Sequence, residues 1–485
     1  MPMQPSHSRS RPDPIGLRME RHDLIVIGGG AGGFGAVIKA NDLGARTALV
    51  NTGLPIGGTC VNVGCVPSKR LLWAAEVLHT SQHHKIPGLE LDVKHLDVGA
   101  IVRDELTLVD RMREGKYAAV LRDLEHVTFI QGQARFIDAR SVQVGDQTLT
   151  SKRFVIATGS SAAVPDIPGL REAGFITHAE ALRRERQPRS LVVIGAGPVG
   201  LEFSQLFARF GSHVTVLQRS NRVFPRTEAI LAERLIEIFK AEGIDVVTRA
   251  RPMSVTSSGN RKRVAFEVDG RAAVVESEEI LVAAGKTPNT SQLGLAPVGV
   301  RVDDKGAIVV NPYLQTSAAH IFAVGDVASL PARLEMTAGH EGTLAAENAL
   351  TGSKHSIDYD AVPYTIFTDP QLAGVGLTED QEMERLGRCL CRTVPLELVP
   401  KALIMNRPEG FVKMAIHPDT GQIMGVHLLT PQAGDLVAQA VTLVRNRNTI
   451  NDLLETLPMF PTLSEAVKLA AMAFTRDISK VSCCV

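Results

Sequence analysis

The segment DLIVIGGGAGG at residues 23–33 decides the fold of this 485-residue chain. Residues 23–27 form a short apolar, β-branched run that meets Gly28, Gly30 and Gly33, and a helical stretch follows. Strand, tight turn and helix in this order are typical of a dinucleotide-binding unit. The glycines permit a sharp turn and close backbone approach, and the free N–H groups at the helix start face a pyrophosphate.

The same pattern returns at residues 191–200, LVVIGAGPVG, with Gly195, Gly197 and Gly200 in the equivalent places. A helix through LEFSQLFARFG and a strand, HVTVL, follow it. One such pattern alone is weak evidence, because ordinary turns also carry glycines. Two copies, each in a full strand, turn, helix and strand context, predict two dinucleotide sites.

In each of the two units, the residues that follow the second strand indicate the expected nucleotide contacts. Asn51 stands where an acidic residue normally binds a ribose hydroxyl, so a hydrogen bond without charge is expected there. The second unit continues with QRSNR at 218–222, which holds no carboxylate. Arg219 and Arg222 fit a 2′-phosphate and predict NADPH over NADH, the alternative being a solvated basic turn.

Two later segments complete the first unit. FVIATG at 154–159 and IFAVGD at 321–326 each predict a strand that ends in small residues, and Asp326 is placed to hold a ribityl or ribose hydroxyl. The first nucleotide domain therefore resumes after the second one ends. From about residue 360 a third, α+β domain is predicted, with strands at 362–376, 394–399 and 410–416 and helices at 435–447 and 463–476.

The composition excludes several classes of protein. Fifty-two Lys+Arg balance 52 Asp+Glu, so no net basic field attracts nucleic acid or an anionic membrane. A hydrophobic content of 44% excludes a mostly disordered chain. No apolar run approaches the roughly 20 residues of a membrane span, so no membrane insertion is expected. Residues 1–20 lack the apolar core of a secretory signal and predict a mobile tail.

Residues 57–69, GGTCVNVGCVPSK, carry the chemistry. Cys60 and Cys65 are five residues apart, unlike the CxxC of zinc sites, and no second matching pair lies nearby. Pro67 and the helix-forming segment after it place Cys65 near a helix N-terminus, where the dipole favours the thiolate. A low-pKa thiolate beside a dinucleotide fold predicts a redox centre, the alternative being two buried cysteines.

The other four cysteines also form close pairs, a pattern that suggests redox or metal chemistry in a reducing compartment. Cys389 and Cys391 point to one face of a predicted strand, where packing is favoured over an accessory metal site. Cys483 and Cys484 are adjacent and close only a strained ring as a disulfide, but two neighbouring thiolates capture a soft, low-coordinate metal ion.

These motifs together carry a family resemblance. GGTCVNVGCVPSK, both glycine patterns, ATG at 157–159 and AVGD at 323–326 resemble the FAD-dependent pyridine nucleotide–disulfide oxidoreductases, in order and across residues 23–480. The resemblance implies an α/β fold with two Rossmann-like dinucleotide-binding domains, for FAD and NADPH, plus a C-terminal α+β dimerisation domain. The expected boundaries are a tail at 1–20, a split FAD-binding domain at 21–160 and 286–355, an NADPH-binding domain at 161–285, a dimerisation domain at 356–478 and a mobile Cys-Cys tail at 479–485.

The resemblance also implies residue roles. In such a homodimer NADPH reduces FAD, and FAD reduces a Cys60–Cys65 disulfide. Cys65 then faces the flavin and Cys60 exchanges with the substrate, while Lys69 pairs with Glu202 near the flavin. The remaining implied cofactor contacts are Gly58, Thr59, Ala134, Thr158 and Gly159.

Residues 459–465, MFPTLSE, indicate which subgroup of the family the chain resembles. Disulfide-reducing members carry a His-Pro followed by a Glu, and the histidine acts as acid and base for the exchanging thiol. Phe460 cannot transfer a proton, so ordinary disulfide reduction is expected to be badly impaired. Glu465 loses its usual partner and is interpreted as a helix N-terminal carboxylate.

The terminal SCCV, the missing histidine, CVNVGC at 60–65 and VKLAAMAF before the tail resemble the mercuric reductases. That family delivers Hg(II) from the tail of one subunit to the paired cysteines of the other, where reduced flavin gives Hg(0). Tyr117 matches a tyrosine at that family's metal site, the alternative being a half-buried helix tyrosine, and Phe460 departs from its usual second tyrosine. The implied metal ligands are Cys60, Cys65, Cys483 and Cys484.

The sequence therefore predicts a cytoplasmic homodimer, with an active site shared between subunits, that reduces Hg(II) presented as thiol complexes. We expect no separate N-terminal metal-binding domain of the GMTCxxC type, because residues 1–20 contain no cysteine. One alternative is a flavin-linked reductase that relays electrons to the terminal cysteines and on to a disulfide. Another is a non-catalytic flavoprotein that sequesters metal, which the intact Lys69, Glu202 and nucleotide motifs disfavour.

Overall fold

The strand Leu24–Ile27 forms the centre of the first sheet because its apolar residues, LIVI, are buried on both faces. The computed structural model describes residues 20–482, so Cys483, Cys484 and the predicted tail up to residue 19 lie outside the described residues. The sheet is parallel throughout and draws its strands from two separate stretches of the chain. Across it lie Ile321–Ala323, Phe154–Ile156, Leu24–Ile27, Thr47–Asn51 and Val127–Gln131.

The second predicted unit is present as a second parallel sheet, built around the buried strand Ser190–Ile194. An antiparallel sheet lies beside it in the same part of the chain. The parallel strands are, in sheet order, Asp245–Val247, His213–Leu217, Ser190–Ile194 and Glu279–Val282, and the antiparallel ones are Ala250–Ser258, Arg261–Val268 and Arg271–Ser277.

In both units the helix packs directly on the glycine turn. A Cβ atom on Gly33 would lie 1.8 Å from the carbonyl oxygen of Gly28, and one on Gly200 would lie 1.9 Å from that of Gly195. Only glycine allows this approach of helix to strand end. The predicted helices are confirmed at Ala31–Asp42 and Pro198–Arg209.

The third domain is built on an antiparallel sheet of five strands, in the order Tyr364–Ile366, Gln371–Gly376, Ile423–Thr430, Phe411–Ile416 and Leu390–Pro395. The predicted strand at 362–376 is wrong as one piece, because a turn at Asp369–Pro370 divides it. The strand predicted at 394–399 begins four residues earlier and ends at Pro395, where a 3-10 turn follows. The strand Ile423–Thr430 was not predicted.

The remaining strands form two smaller sheets. A four-stranded sheet contains Glu20–His22, Gln147–Ser151, Ser141–Val144 and Ala134–Asp138. A two-stranded ribbon pairs Ser160–Ala162 with Lys286–Pro288, where the chain leaves and re-enters the first nucleotide domain.

Helices cover these sheets, and none within residues 20–482 has the length and apolar character needed to cross a membrane. Beyond the two helices already given, they are Gly58–Val63, Cys65–His83, Val98–Arg113, the π-helical Glu114–Ala118, Ala119–Asp123, Leu170–Ala173, His178–Ala181, Ala229–Ala241, Glu335–Thr351, Glu379–Leu386, Pro400–Ile404, Ala433–Arg445, Ile450–Leu454 and Glu465–Met472. The 3-10 turns are Ala296–Val298, Gly325–Val327, Tyr359–Ala361, Leu396–Leu398 and Ile478–Lys480.

The helix Cys65–His83 ties the domains together. Its buried Leu71 and Ala75 belong to one apolar cluster with Leu201 of the second nucleotide unit and with Ile366 of the C-terminal domain. The N-terminal end of this helix is therefore held between three domains. That constraint fixes Cys65, its first residue.

The glycine packing in the second unit gives a stability prediction. Gly200→Ala forces the new methyl group onto the Gly195 carbonyl, so we expect the free energy of unfolding of that domain to fall by about 1–3 kcal/mol. Gly197→Ala is the matched control, because a Cβ there meets nothing within 4 Å and φ is −80°. Urea unfolding measures both variants, and equal stability of the two would contradict the packing argument.

Candidate active site

Both glycine turns open onto one cleft of about 2290 Å³. The cleft is large enough for two dinucleotides in one continuous space. Both predicted sites in it have glycine turns, whose lack of Cβ atoms lets a dinucleotide approach the backbone closely. Of the predicted site residues, those lining the cleft are Gly28, Gly30, Asn51, Gly58, Thr59, Cys60, Cys65, Lys69, Ala134, Thr158, Gly159, Gly195, Gly197, Glu202, Arg219 and Asp326. Gly33 and Gly200 lie one helical turn behind the wall and support it.

Cys60 and Cys65 meet at a break between two helices. Helix Gly58–Val63 carries Cys60, and Gly64 interrupts the backbone before the next helix begins at Cys65. The structure holds both as free cysteines, Cys60 partly buried and Cys65 exposed to the cleft. The predicted position of Cys65 at a helix N-terminus is confirmed.

A hydrogen bond between the two sulfurs gives the two cysteines different pKa values. The Cys60 thiol donates to Cys65 and, with help from the Lys69 ammonium, lowers the pKa of Cys65 to about 7 against the opposing effect of burial. The same hydrogen bond and burial raise the pKa of Cys60 well above its ordinary value. Near neutral pH the pair therefore holds one thiolate, at Cys65, and one proton, at Cys60.

Lys69 and Glu202 form the predicted ion pair. Lys69 Nζ donates to Glu202 Oε2 at 2.8 Å and lies 4.5 Å from the centroid of the Phe367 ring. Glu202, almost fully buried, also accepts from the backbone N–H of Phe367 at 3.0 Å. A cation is thus fixed on the cleft wall one helical turn from Cys65.

Tyr117 lies behind the cysteine loop on the π-helical turn Glu114–Ala118. Its ring packs edge-on against Phe34 at 4.9 Å between centroids. Burial and the nearby charges of Glu335, Cys60 and Cys65 raise the pKa of Tyr117 to about 12, so its hydroxyl keeps its proton. Tyr117 therefore lies within electrostatic range of the two cysteines, and its role at a metal site stays a prediction.

Glu335 is a site residue that the sequence analysis missed. It begins the helix Glu335–Thr351, lines the cleft, and burial raises its carboxyl pKa. Its charge opposes ionisation of both active-site cysteines. The signal available in the sequence was an acidic residue at a helix start shortly after AVGD, which is weak without the spatial neighbours.

The first nucleotide turn is braced by its own side chains. Asn51 Oδ1 accepts from the backbone N–H of Gly29 at 2.9 Å, and its Nδ2 donates to the Leu54 carbonyl at 3.0 Å. Asn51 therefore holds the turn in shape, and its predicted ribose contact stays a prediction. Asp326 accepts from Ser160 Oγ at 2.6 Å and faces the cleft.

The basic residues of the second unit divide into two sets. Arg219 lines the cleft as predicted, whereas Arg222 pairs with Asp380 at 3.5 Å and donates to the Pro225 carbonyl. Arg226 and Arg251, which were not predicted, also line the cleft. Arg226 follows QRSNR by four residues, whereas Arg251 comes from the later strand Ala250–Ser258, so the motif alone did not indicate Arg251.

Two more cleft residues carry unusual charge states. Lys286 Nζ lies 3.3 Å from His178 Nε2, and burial lowers the pKa of Lys286 and, with the Lys286 charge, that of His178 to about 4. Lys286 starts the strand that re-enters the first nucleotide domain. A neutral imidazole and a cation therefore stand at the junction of the two nucleotide units.

The C-terminal motif matches its sequence interpretation. Glu465 Oε1 accepts from the backbone N–H of Thr462 at 2.7 Å at the start of its helix, so it is a helix N-terminal carboxylate. Phe460 is 45% exposed beside the exposed Leu457 and Met459. Cys389 and Cys391, for which packing was favoured, are joined by a disulfide bond.

Comparison with known families identifies the class. A family model described as pyridine nucleotide-disulphide oxidoreductase matches residues 22–360, and the dimerisation domain of that family matches residues 362–471. The chain belongs to the class I pyridine nucleotide–disulfide oxidoreductases. This family implies FAD and a nicotinamide cofactor, and its dimerisation domain supports a homodimer.

Among individual relatives, the chain is similar to mercuric reductases. It is 38% identical over 484 residues to that of Staphylococcus aureus, covering 99% of this chain and 88% of the relative. It is 38% identical over 469 residues to that of Streptomyces lividans, covering 96% and 98%. A solved structure, the HOCl-induced flavoprotein disulfide reductase RclA from Escherichia coli, superposes with a TM-score of 0.82 at 27% identity over 93% of this chain and 99% of that one.

The sulfur–sulfur hydrogen bond predicts a specific pH dependence. Cys65 reacts with iodoacetamide as the thiolate, so in the reduced protein its alkylation rate should rise with pH through about 7. Cys60→Ala removes the donor and should shift this midpoint upward, toward the ordinary value of 9.0. Cys60→Ser keeps a hydroxyl donor and should shift it less. Identical midpoints in all three proteins would contradict the assignment.

Proposed function

We propose that this protein is a cytoplasmic, homodimeric oxidoreductase that uses NADPH and FAD to reduce Hg(II) to Hg(0). The observation that carries the proposal is the Cys60–Cys65 pair. The Cys60 thiol is hydrogen-bonded to Cys65, whose pKa is low, and the cleft that holds both also contains the two glycine turns. Mercuric reductases 35–38% identical over nearly the whole chain support the choice of substrate. The Cys483–Cys484 tail in the sequence adds a second thiol pair.

Different residues of the cleft would bind the two cofactors. The first glycine turn, Asn51 and Asp326 would hold FAD, and the second turn with Arg219 would hold NADPH. Bound FAD would pass two electrons from the nicotinamide to the cysteine pair when it is a disulfide, and two further electrons from a second NADPH to Hg(II) held by the reduced pair. Lys69, held by Glu202 and Phe367, keeps a positive charge beside that transfer.

The cysteines bind the metal by ligand exchange. Hg(II) is a soft cation that prefers thiolates, so Cys65 and then Cys60 displace two small thiolates from it. Cys65 enters as the thiolate, and one departing thiolate takes up the proton that Cys60 releases. Addition of two electrons converts the bound Hg(II) to Hg(0), which leaves both cysteines as thiolates and escapes as a neutral atom.

The proposed dimer places the C-terminal domain of each subunit beside the cleft of the other. Leu457, Met459 and Phe460 are exposed apolar residues of the single chain, Leu457 by 94%, and a partner subunit would cover them. An active site completed by the partner's tail fits this arrangement.

A second candidate is a flavin-linked disulfide reductase that relays electrons to Cys483 and Cys484. The likeness to RclA, a disulfide reductase by its name, favours this reading. Phe460 disfavours it, because the position offers no acid or base for thiol exchange.

One assay separates the two candidates. Purified protein loaded with FAD is given NADPH and Hg(II) in excess thiol, and NADPH oxidation is followed together with release of mercury vapour. Parallel samples receive glutathione disulfide or lipoamide in place of Hg(II). We expect one Hg(0) for each NADPH and negligible disulfide reduction. Inhibition by Hg(II) with efficient disulfide reduction would overturn the proposal in favour of the relay.

The tail is predicted to deliver the metal. Cys483→Ala with Cys484→Ala should lower turnover of thiol-complexed Hg(II) by about ten-fold or more, the scale of losing metal-site partners. Ser482→Ala, the neighbouring change outside the thiol pair, should leave turnover unchanged. Steady-state NADPH oxidation measures both variants. Full activity of the double variant would remove the tail from the mechanism.

The nucleotide preference depends on Arg219. Arg219→Ala should lower kcat/KM for NADPH by about ten-fold or more, because a hydrogen bond to a charged group contributes about 1.5–3 kcal/mol. It should leave kcat/KM for NADH nearly unchanged. Arg222→Ala is the control, because Arg222 already pairs with Asp380. Higher kcat/KM for NADH than for NADPH in the unmodified enzyme would refute the preference.

A further inference from the structure

A second thiol pair lies in the C-terminal domain, apart from the nucleotide cleft. Cys389 and Cys391 stand at the start of the edge strand Leu390–Pro395, just after the helix Glu379–Leu386. Both sulfurs and a carboxylate oxygen of Glu379 lie within 4.8 Å of one another. Two ligand atoms of one tetrahedral zinc ion, at about 2.3 Å each, lie roughly 3.8 Å apart, so the three groups can share an ion once reduction lets the two bonded sulfurs move apart.

A buried carboxylate points at the same sulfurs. Glu382 has no exposed surface, and its Oε2 lies 3.8 Å from Cys391 Sγ. Its other oxygen, Oε1, has no hydrogen-bond partner among the described residues. A buried carboxylate without a partner is costly, and a nearby cation would compensate it.

The sulfurs are also open to solvent on an acidic side. Cys391 borders a cavity of about 470 Å³ whose wall carries more carboxylates than cations. Lys413 bonds to both Glu228 and Glu379 and is the cation of this wall. Its remaining acidic residues are Glu233 and Asp380. The cavity therefore gives a metal cation both an entry path and an attractive field.

We propose that the reduced Cys389–Cys391 pair, with the Glu379 carboxylate, binds one thiophilic divalent cation per subunit at a site separate from the redox cleft. Two thiolates and a carboxylate are a ligand set suited to a d10 ion such as Zn(II), which takes sulfur and oxygen donors and completes four-coordination with water. The spacing of two residues places both sulfurs on one side of the strand end.

The metal-binding form is the dithiol. A dithiol such as dithiothreitol supplies two electrons and two protons, which open the Cys389–Cys391 disulfide to two thiols, and it becomes a cyclic disulfide itself. Binding of the cation then releases the two thiol protons. The disulfide form, with its sulfurs bonded to each other, offers no thiolate. The site is therefore available in a reducing compartment and closed by oxidation.

The test uses the full chain loaded with FAD, with the four other cysteines changed to alanine so that they bind no metal. After reduction with dithiothreitol and its anaerobic removal, Zn(II) is titrated and counted by equilibrium dialysis and metal analysis. We expect about one Zn(II) per subunit. Adding Cys389→Ser and Cys391→Ser should abolish this binding, and omitting the reduction step should abolish it as well.

Two variants with the same change in charge distinguish a direct metal ligand from a residue that only attracts the cation. Glu379→Gln and Asp380→Asn each remove one negative charge from the same wall, but only Glu379 belongs to the ligand set. Glu379→Gln should raise the dissociation constant for Zn(II) by about ten-fold, and Asp380→Asn by much less. Absence of Zn(II) binding by the reduced protein, or its survival in the Cys389→Ser/Cys391→Ser variant, would overturn the proposal. Because binding is measured without turnover, this result does not depend on the proposed Hg(II) reduction.

Discussion

The hydrogen bond from the Cys60 thiol to Cys65 is the interaction on which the active site depends. It exists because Gly64 ends one short helix and lets another begin at Cys65, so two cysteines five residues apart face each other. The bond gives the two sulfurs different protonation states in the same solvent. Without it, only the Lys69 charge would oppose the effect of burial on Cys65, and more of the pair would be thiol, the form that neither binds metal well nor exchanges electrons readily.

The rest of the fold keeps that contact in place. The helix Cys65–His83 is packed by three domains at once, and its Lys69 is tied to Glu202 across the domain boundary. Both nucleotide turns then open onto the same cleft as the cysteines. One continuous space thus joins the two dinucleotide sites to the sulfur pair, which is the geometry that electron transfer from a nicotinamide requires.

The sequence predicted those features whose structure depends on residues close together along the chain. The glycines of both turns, the Cys60–Cys65 segment and the helix start at Glu465 depend on neighbours within about ten residues along the chain, so their patterns predicted the structure. The Lys69–Glu202 pair was available only through family resemblance. Glu335, Arg251 and Phe367 reach the cleft from distant segments, and no local pattern marks them. The single strand expected at 362–376 failed because the turn at Asp369–Pro370 interrupts an apolar run.

In the proposed mechanism, electrons from NADPH reach Cys60 and Cys65 through the shared cleft. The most direct measurement is anaerobic titration of the FAD-loaded, oxidised protein with NADPH, followed by alkylation and mass spectrometry of each cysteine. Both cysteines should resist alkylation before the titration and become alkylated after one equivalent of NADPH. Protein stripped of FAD should show no such change. Cysteines that stay unreactive in the FAD-loaded protein, or that respond equally without FAD, would contradict it.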